Sequence, residues 1–146
     1  MAKAYQMNAF TRFGNTLSAA MIRLGIGPRG MHLLRVKGRK TGLPRTTPVN
    51  LIEHQGQRWL VAPYGEVAWV RNARAAGQAE LRRGSNAERI ELREATAEEA
   101  APVLRAYLRQ LKLVVGPYFD VTLSSPDAAF VAEAPRHPVF LLTGTT

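Results

Sequence analysis

Apolar side chains recur at three- and four-residue spacing over residues 6–24, at Phe10, Phe13, Leu17, Ala20, Met21 and Leu24. That period predicts an amphipathic helix with Arg12 and Arg23 on its other side. Gly25-Ile-Gly-Pro-Arg-Gly30 then breaks the pattern, and the spacing shifts toward two. His32–Lys37 reads as a strand, Gly38–Pro44 as a turn and Arg45–Ile52 as the returning strand. Pro48 cannot donate to a ladder and marks an edge or a bulge there. A second turn at His54–Gln57 leads into a strand over Arg58–Ala62, which completes an antiparallel meander.

Pro63-Tyr-Gly65 ends the third strand, and Glu66–Ala76 predicts a short helix stopped by Gly77. Glu80–Arg83, a turn at Gly84–Asn86 and Arg89–Arg93 form a further hairpin. Thr96-Ala-Glu-Glu99 is a capping box, opening a helix to about Leu111 with Val103, Leu104, Tyr107, Leu108 and Leu111 on one stripe. Ser125-Pro-Asp127 starts another short helix, and His137–Thr143 reads as a last strand. About six strands with interspersed helices predict a mainly β chain (α+β), folded as a small closed or split antiparallel barrel. Two segments are expected: residues 1–29, an N-terminal helix and breaker, and residues 30–146, the barrel.

Composition narrows the chemistry. At 146 residues the chain is one domain. It has no cysteine, which excludes disulfides, thiolate nucleophiles and thiolate metal sites and suits a reducing cytoplasm. Three scattered histidines (His32, His54, His137) argue against a metal centre. The net charge of +9 is lopsided: residues 1–52 carry nine basic side chains and no acid, and the rest carries eleven of each. That asymmetry points to an anionic partner, such as nucleic acid, a membrane surface or a phosphorylated or carboxylated small molecule. A basic surface that merely aids solubility is the plainer reading.

Two clusters could carry chemistry. The first is the basic hairpin with Arg35, Lys37, Arg39, Lys40 and Arg45, where Arg39, Lys40 and Thr41 sit in a glycine-bounded turn whose amides could face an anion. It lacks Walker spacing. The second is Trp69-Val-Arg-Asn-Ala-Arg74 just after Tyr64, which joins aromatic faces to amide and guanidinium donors and suits a flat heteroaromatic ligand. Either cluster could equally be structural, with Trp69 a core anchor and the arginines solvated. No nucleophile–base–orienter set emerges, so any hard chemistry falls to a cofactor.

Gly38-Arg-Lys-Thr-Gly-Leu-Pro-Arg-Thr-Thr-Pro-Val49, then Ala62-Pro-Tyr-Gly65, then Trp69-Val-Arg-Asn72 resemble the deazaflavin-dependent nitroreductase family in kind and order, over residues 30–142. The resemblance implies a split β-barrel of the flavin-mononucleotide-binding type and coenzyme F420 as cofactor. Lys40 and Arg45 match positions that hold the anionic tail, with Arg39, Thr41 and Arg71 beside them. Thr46, Thr47 and Pro48 match the strand beside the deazaflavin ring, Ala62, Pro63, Tyr64 and Gly65 the segment along it, and Trp69 and Asn72 the same cleft. Tyr118 and Phe119 fall near substrate-side aromatics. There are departures: nitro-reducing members commonly carry lysine where Tyr64 stands, and an aromatic where Asn50 stands. Nitroreduction therefore does not transfer.

The expected function is hydride transfer from the reduced deazaflavin to a quinone, an activated alkene or a nitro compound, with Tyr64 or Tyr118 as candidate proton donors. The alternative is a split barrel holding flavin mononucleotide, haem, a tetrapyrrole or a fatty acid without F420 turnover. A third reading is binding of nucleic acid or another polyanion by the basic third. No metal is expected. The expected location is the cytoplasm, with weak contact to the inner membrane face through the N-terminal helix as an option, and a homodimer is open.

Overall fold

The computed structural model describes residues 30–144, without the side chains of residues 112–114. The helix expected over residues 6–24 lies outside that range. Six strands are described: β1 (Met31–Lys37), β2 (Pro44–His54), β3 (Gln57–Val61), β4 (Gln78–Arg83), β5 (Asn86–Glu94) and β6 (Val139–Gly144). Helix α1 (Ala68–Ala76) follows β3, α2 (Ala97–Val115) follows β5, and α3 (Asp127–Glu133) precedes β6. All strand pairs are antiparallel, and the sheet closes as a barrel in the order β1-β2-β3-β6-β5-β4, with β4 returning to β1.

Alternation along the strands sorts side chains into two cores. Leu34, Val49, Leu60, Ala62, Leu81, Ile90, Phe140 and Leu142 fill the barrel, joined by Val70 and Ala73 of α1. The alternate residues Ile52, Trp59, Val61, Val139 and Leu141 point outward and pack against α2 and α3 through Val103, Leu104, Tyr107, Leu108 and Phe130. β3 and β6 are therefore covered on both faces, which is why their sequences run almost continuously apolar instead of alternating.

Within the described residues the predicted elements are present, with shifts at their ends. The capping box forms: the Glu99 N–H donates to Thr96 Oγ1 at 3.2 Å and the Thr96 N–H to Glu99 Oε1 at 2.9 Å. The expected stop at Leu111 is a kink (φ −121°, ψ 21°), after which α2 runs to Val115. α1 begins two residues later than predicted, because residues 62–67 are taken up by a turn in which the Gly65 N–H donates to the Ala62 carbonyl and the Val67 N–H to the Gly65 carbonyl. His137 does not join the last strand, which starts at Val139. Its backbone instead ends a short 3₁₀ turn, Ala134–Arg136.

Candidate active site

The register explains why the motif segments meet. β2 is long: Pro44–Asn50 pair with β1, whereas only Leu51–His54 pair with β3. Beyond Leu51 and Leu60 the two strands part. β2 continues on β1, and β3 continues on β6, where the Ala62 N–H donates to the Pro138 carbonyl at 2.8 Å. The barrel is thus split, with Arg45–Pro48 on one lip and Ala62–Gly65 on the other. Pro48 sits in the half of β2 that lacks a β3 neighbour, the edge position its missing N–H requires. Thr47 pairs with the inward-facing Leu34 and Arg45 with Val36, so these two share the barrel side; Thr46 and Pro48 pair with Arg35 and Leu33 on the outer side.

At the mouth of the split the β1–β2 hairpin is closed by its own backbone. The Gly38 N–H donates to the Leu43 carbonyl at 2.8 Å and the Gly42 N–H to the Gly38 carbonyl at 2.9 Å. A side chain at Gly38 would come within 2.9 Å of the Leu43 oxygen, so only glycine fits. The Leu43 N–H donates to Thr41 Oγ1. Asn72 Oδ1 accepts from both the Arg39 N–H (3.1 Å) and the Arg39 guanidinium (2.8 Å). Four amides of the turn are thereby engaged, which leaves an anion chiefly the exposed side chains of Lys40 and Arg45. The two clusters, separate in sequence, are one unit: Asn72, buried on α1, ties the basic hairpin to the helix.

On the other lip, Gly65 takes a positive φ of 89°, which a side chain would strain, and this turn presents the partly exposed Tyr64. Tyr118 packs edge-on against Tyr64, with ring centroids 4.8 Å apart. Burial pushes the Tyr107 phenol beneath them well up from its ordinary value, and neighbouring Tyr64 adds to the shift. Phe119 leaves the surface and stacks on His137 at 3.8 Å. Trp69 is half-buried against Phe140, so it anchors the barrel core while keeping part of its ring accessible. Arg71 is exposed on α1. Arg74, by contrast, is held by Glu94 and Glu66, each at 2.7 Å, and drops out of the ligand-facing set.

Sequence reasoning missed one feature of this lip. His137 is buried; its Nδ1–H donates to the Pro63 carbonyl at 2.8 Å, and its Nε2 lies 2.6 Å from Glu133 Oε2. The Glu133/His137 spacing of four was visible, but the contact with Pro63 spans 74 residues. An open cleft of about 890 Å³ runs along β1, the start of β4 and the end of α1, lined by Arg35, Lys37, Arg39, Glu80 and Arg89 among others, and takes in Gly38, Arg39, Gly42 and Pro44 of the motif hairpin. Among the described residues, no group of three or more His, Asp or Glu is placed to hold a metal ion, and no helix is long and apolar enough to cross a membrane.

Solved structures share this architecture. An F420-H2 dependent reductase (FDR-A) is similar at 21% identity and a TM-score of 0.53, over 79% of this chain and 95% of that one. A domain-swapped dimer is similar at 19% identity and 0.56, over 92% and 100%. A NimC/NimA family protein from Clostridium acetobutylicum matches at 13% and 0.50, over 78% and 73%. At these identities the likeness concerns the fold. Among curated proteins none matches. The fold is a split β-barrel, shared with the F420-H2 dependent reductase above. Within that class the chain belongs to the F420H2-dependent quinone reductase family, whose profile matches residues 7–122. It is a reductase whose cofactor is coenzyme F420.

Proposed function

We propose that this protein transfers hydride from F420H2 to a quinone, and that the split between β2 and the Ala62–Gly65 turn is where it does so. The observation that carries the reading is convergence: the segments of the family motif, scattered over residues 38–72, become the two lips and mouth of one opening. The side chains present fit an anionic, aromatic cofactor, with exposed cations at the mouth and half-buried aromatic rings along the opening. When bound, the reduced deazaflavin supplies the hydride from its C5 carbon.

The chain's residues supply binding and orientation. Lys40 and Arg45 hold the anionic tail, with Arg39, Thr41 and Arg71 contributing at the margin. Thr46, Thr47 and Pro48 on one lip, and Ala62, Pro63, Tyr64 and Gly65 on the other, border the ring and fix its face toward the acceptor. Trp69 adds an aromatic wall. Asn72 fixes Arg39 through its side-chain oxygen, which accepts two hydrogen bonds, and this leaves its amide N–H groups for the cofactor. Tyr64 and Tyr118 stand together at the opening, and either hydroxyl serves to protonate the reduced quinone oxygen. Residues 30–146 act as the cofactor-binding domain and residues 1–29 as a separate N-terminal segment. A homodimer is part of the proposal.

The test is a fluorescence titration of the protein with F420 at two salt concentrations, followed by quinone reduction. Saturable binding weakened by salt is expected. Lys40→Ala/Arg45→Ala should weaken it roughly ten- to a hundredfold without loss of fold. Unchanged affinity in that double variant overturns the tail assignment. Binding of flavin mononucleotide in place of F420 overturns the cofactor site.

A further inference from the structure

The Ala62–Gly65 turn is tied down at more points than a surface turn needs. The Ala62 N–H donates to Pro138, the Ala62 carbonyl accepts from Gly65, the Gly65 carbonyl accepts from Val67, and the Pro63 carbonyl accepts from His137. The last tie differs in kind, because it comes from a buried, ionisable side chain. A carbonyl can only accept, so Nδ1 of His137 must carry hydrogen. The other ring nitrogen meets Glu133 Oε2 at 2.6 Å, and one proton is held between them. Glu133 is itself fixed: the same oxygen accepts the Asp120 N–H at 3.2 Å, and Oε1 lies 3.5 Å from the Arg136 guanidinium, which also pairs with the Asp120 carboxylate. Phe119 stacks on the imidazole within 10° of parallel and blocks its rotation. Every degree of freedom of this ring is thus restrained, and its one output is the Pro63 carbonyl.

We propose that Glu133 and His137 are positioning residues for the reductase. Glu133 Oε2 meets Nε2 and fixes the ring in the orientation that aims Nδ1–H at Pro63, and that hydrogen bond holds Pro63, and with it the Tyr64–Gly65 turn, on the cofactor-side lip of the split. The step from lip to catalysis rests on the function proposed above; the hydrogen-bond relay does not. Such a carboxylate–imidazole–carbonyl relay fixes the orientation of the ring by the contact made at the second nitrogen.

Three full-length variants test it. His137→Leu removes the relay while retaining an apolar side chain under Phe119. Glu133→Leu removes the group that orients the ring at Nε2. Glu133→Gln retains the contact with the ring, because its amide N–H donates to Nε2 and leaves hydrogen on Nδ1, and gives up only the Asp120 N–H bond that Oε2 accepted. Two readouts are used: amide hydrogen exchange at Tyr64 and Gly65 without cofactor, and the split between KM for F420H2 and kcat.

Both leucine variants should speed exchange at these amides and raise KM roughly tenfold, with kcat within about twofold. Glu133→Gln should lie much closer to wild type than Glu133→Leu in both, since only the Asp120 N–H bond is lost. Wild-type exchange in Glu133→Leu, or a Glu133→Gln variant as impaired as Glu133→Leu, overturns the proposal. Should His137→Leu fail to fold, the two Glu133 variants decide between these outcomes. A wild-type protein that does not turn over F420H2 removes the functional reading alone, since the exchange readout needs no cofactor.

Discussion

Single residues in this protein are chiefly placed by the hydrogen bonds their chemistry demands. Glu99 closes the capping box and also takes a two-pronged bond from Arg93, at 3.0 and 2.9 Å. The Arg93 guanidinium, and then the Thr96 amide, pull its carboxyl down from 4.5 to about 2. A depressed folded value means the stabilisation is complete above the unfolded value and is lost as pH falls from about 4.5 toward 2. Glu99→Gln should therefore be less stable than wild type at neutral pH, and the gap should close on acidification. Denaturant unfolding across that range checks it, and a gap independent of pH counts against the assignment. Asn72 makes a second case. Asn72→Ala strips Arg39 of both its bonds and should cost about 1–2 kcal/mol. It should also weaken F420 binding, measured by the same titration, because Arg39 at the mouth of the proposed site loses its support. The Trp-x-x-Asn spacing marked this residue in the sequence as important. Its role was not legible there, since its partner lies 33 positions away.

Elements here are joined by a few polar clamps laid over an apolar contact. Arg105 on α2 donates to the Leu123 and Ser125 carbonyls and the Asp127 carboxylate, each at 2.8 Å, and lies over the Phe130 ring at 4.4 Å. One side chain therefore fastens the loop after α2 to the start of α3, close to the Glu133–His137 pair. Arg105→Met retains much of the stem packing but leaves two carbonyls without their donor. It should lower stability by roughly 2 kcal/mol. Thermal unfolding measures this; a loss below a few tenths of a kcal/mol would place the clamp among ordinary surface ion pairs. The elements themselves were readable from periodicity, turns and the capping box. Where they misled was at residues 66 and 137: local turn bonds within residues 62–67 delay the helix, and the His137 N–H closes a 3₁₀ turn on the Ala134 carbonyl while its side chain goes to Pro63.

Across the whole molecule, one barrel serves two cores, and β3 and β6 bear on both. Phe140 fills the barrel beneath Trp69 and is 1% exposed. Phe140→Ala should cost about 3–5 kcal/mol through lost burial and the cavity left behind. It should also disturb Trp69 fluorescence, which ties core packing to the aromatic wall of the site. Unaltered emission with full loss of stability would separate the two. The charge asymmetry acts at this scale too. The exposed Arg35, Lys37, Lys40 and Arg45 of one hairpin lie at the mouth of the split and beside the neighbouring cleft. They should raise the rate of association with an anionic cofactor, and that rate should fall steeply with ionic strength. Stopped-flow binding measures it; a salt-independent association rate would rule out steering.

What the sequence determined by itself was everything local or periodic. Alternation wrote the strands, a threonine and a glutamate three apart wrote the start of α2, and glycines and prolines wrote the turns. The motif order was sufficient to suggest the family and its cofactor, because those residues stay in order along the chain. The tertiary structure alone decided which strand parts from which. The split at Leu51 and Leu60 follows from β2 outrunning β3: past that point β2 keeps only β1 as a neighbour and β3 only β6, and which strand is long enough to stay paired is settled between distant segments. It also decided that Asn72 serves Arg39, that Glu94 takes Arg74, and that His137 holds Pro63. Each is a pairing across tens of residues, and a linear pattern carries no record of which donor meets which acceptor until the barrel closes.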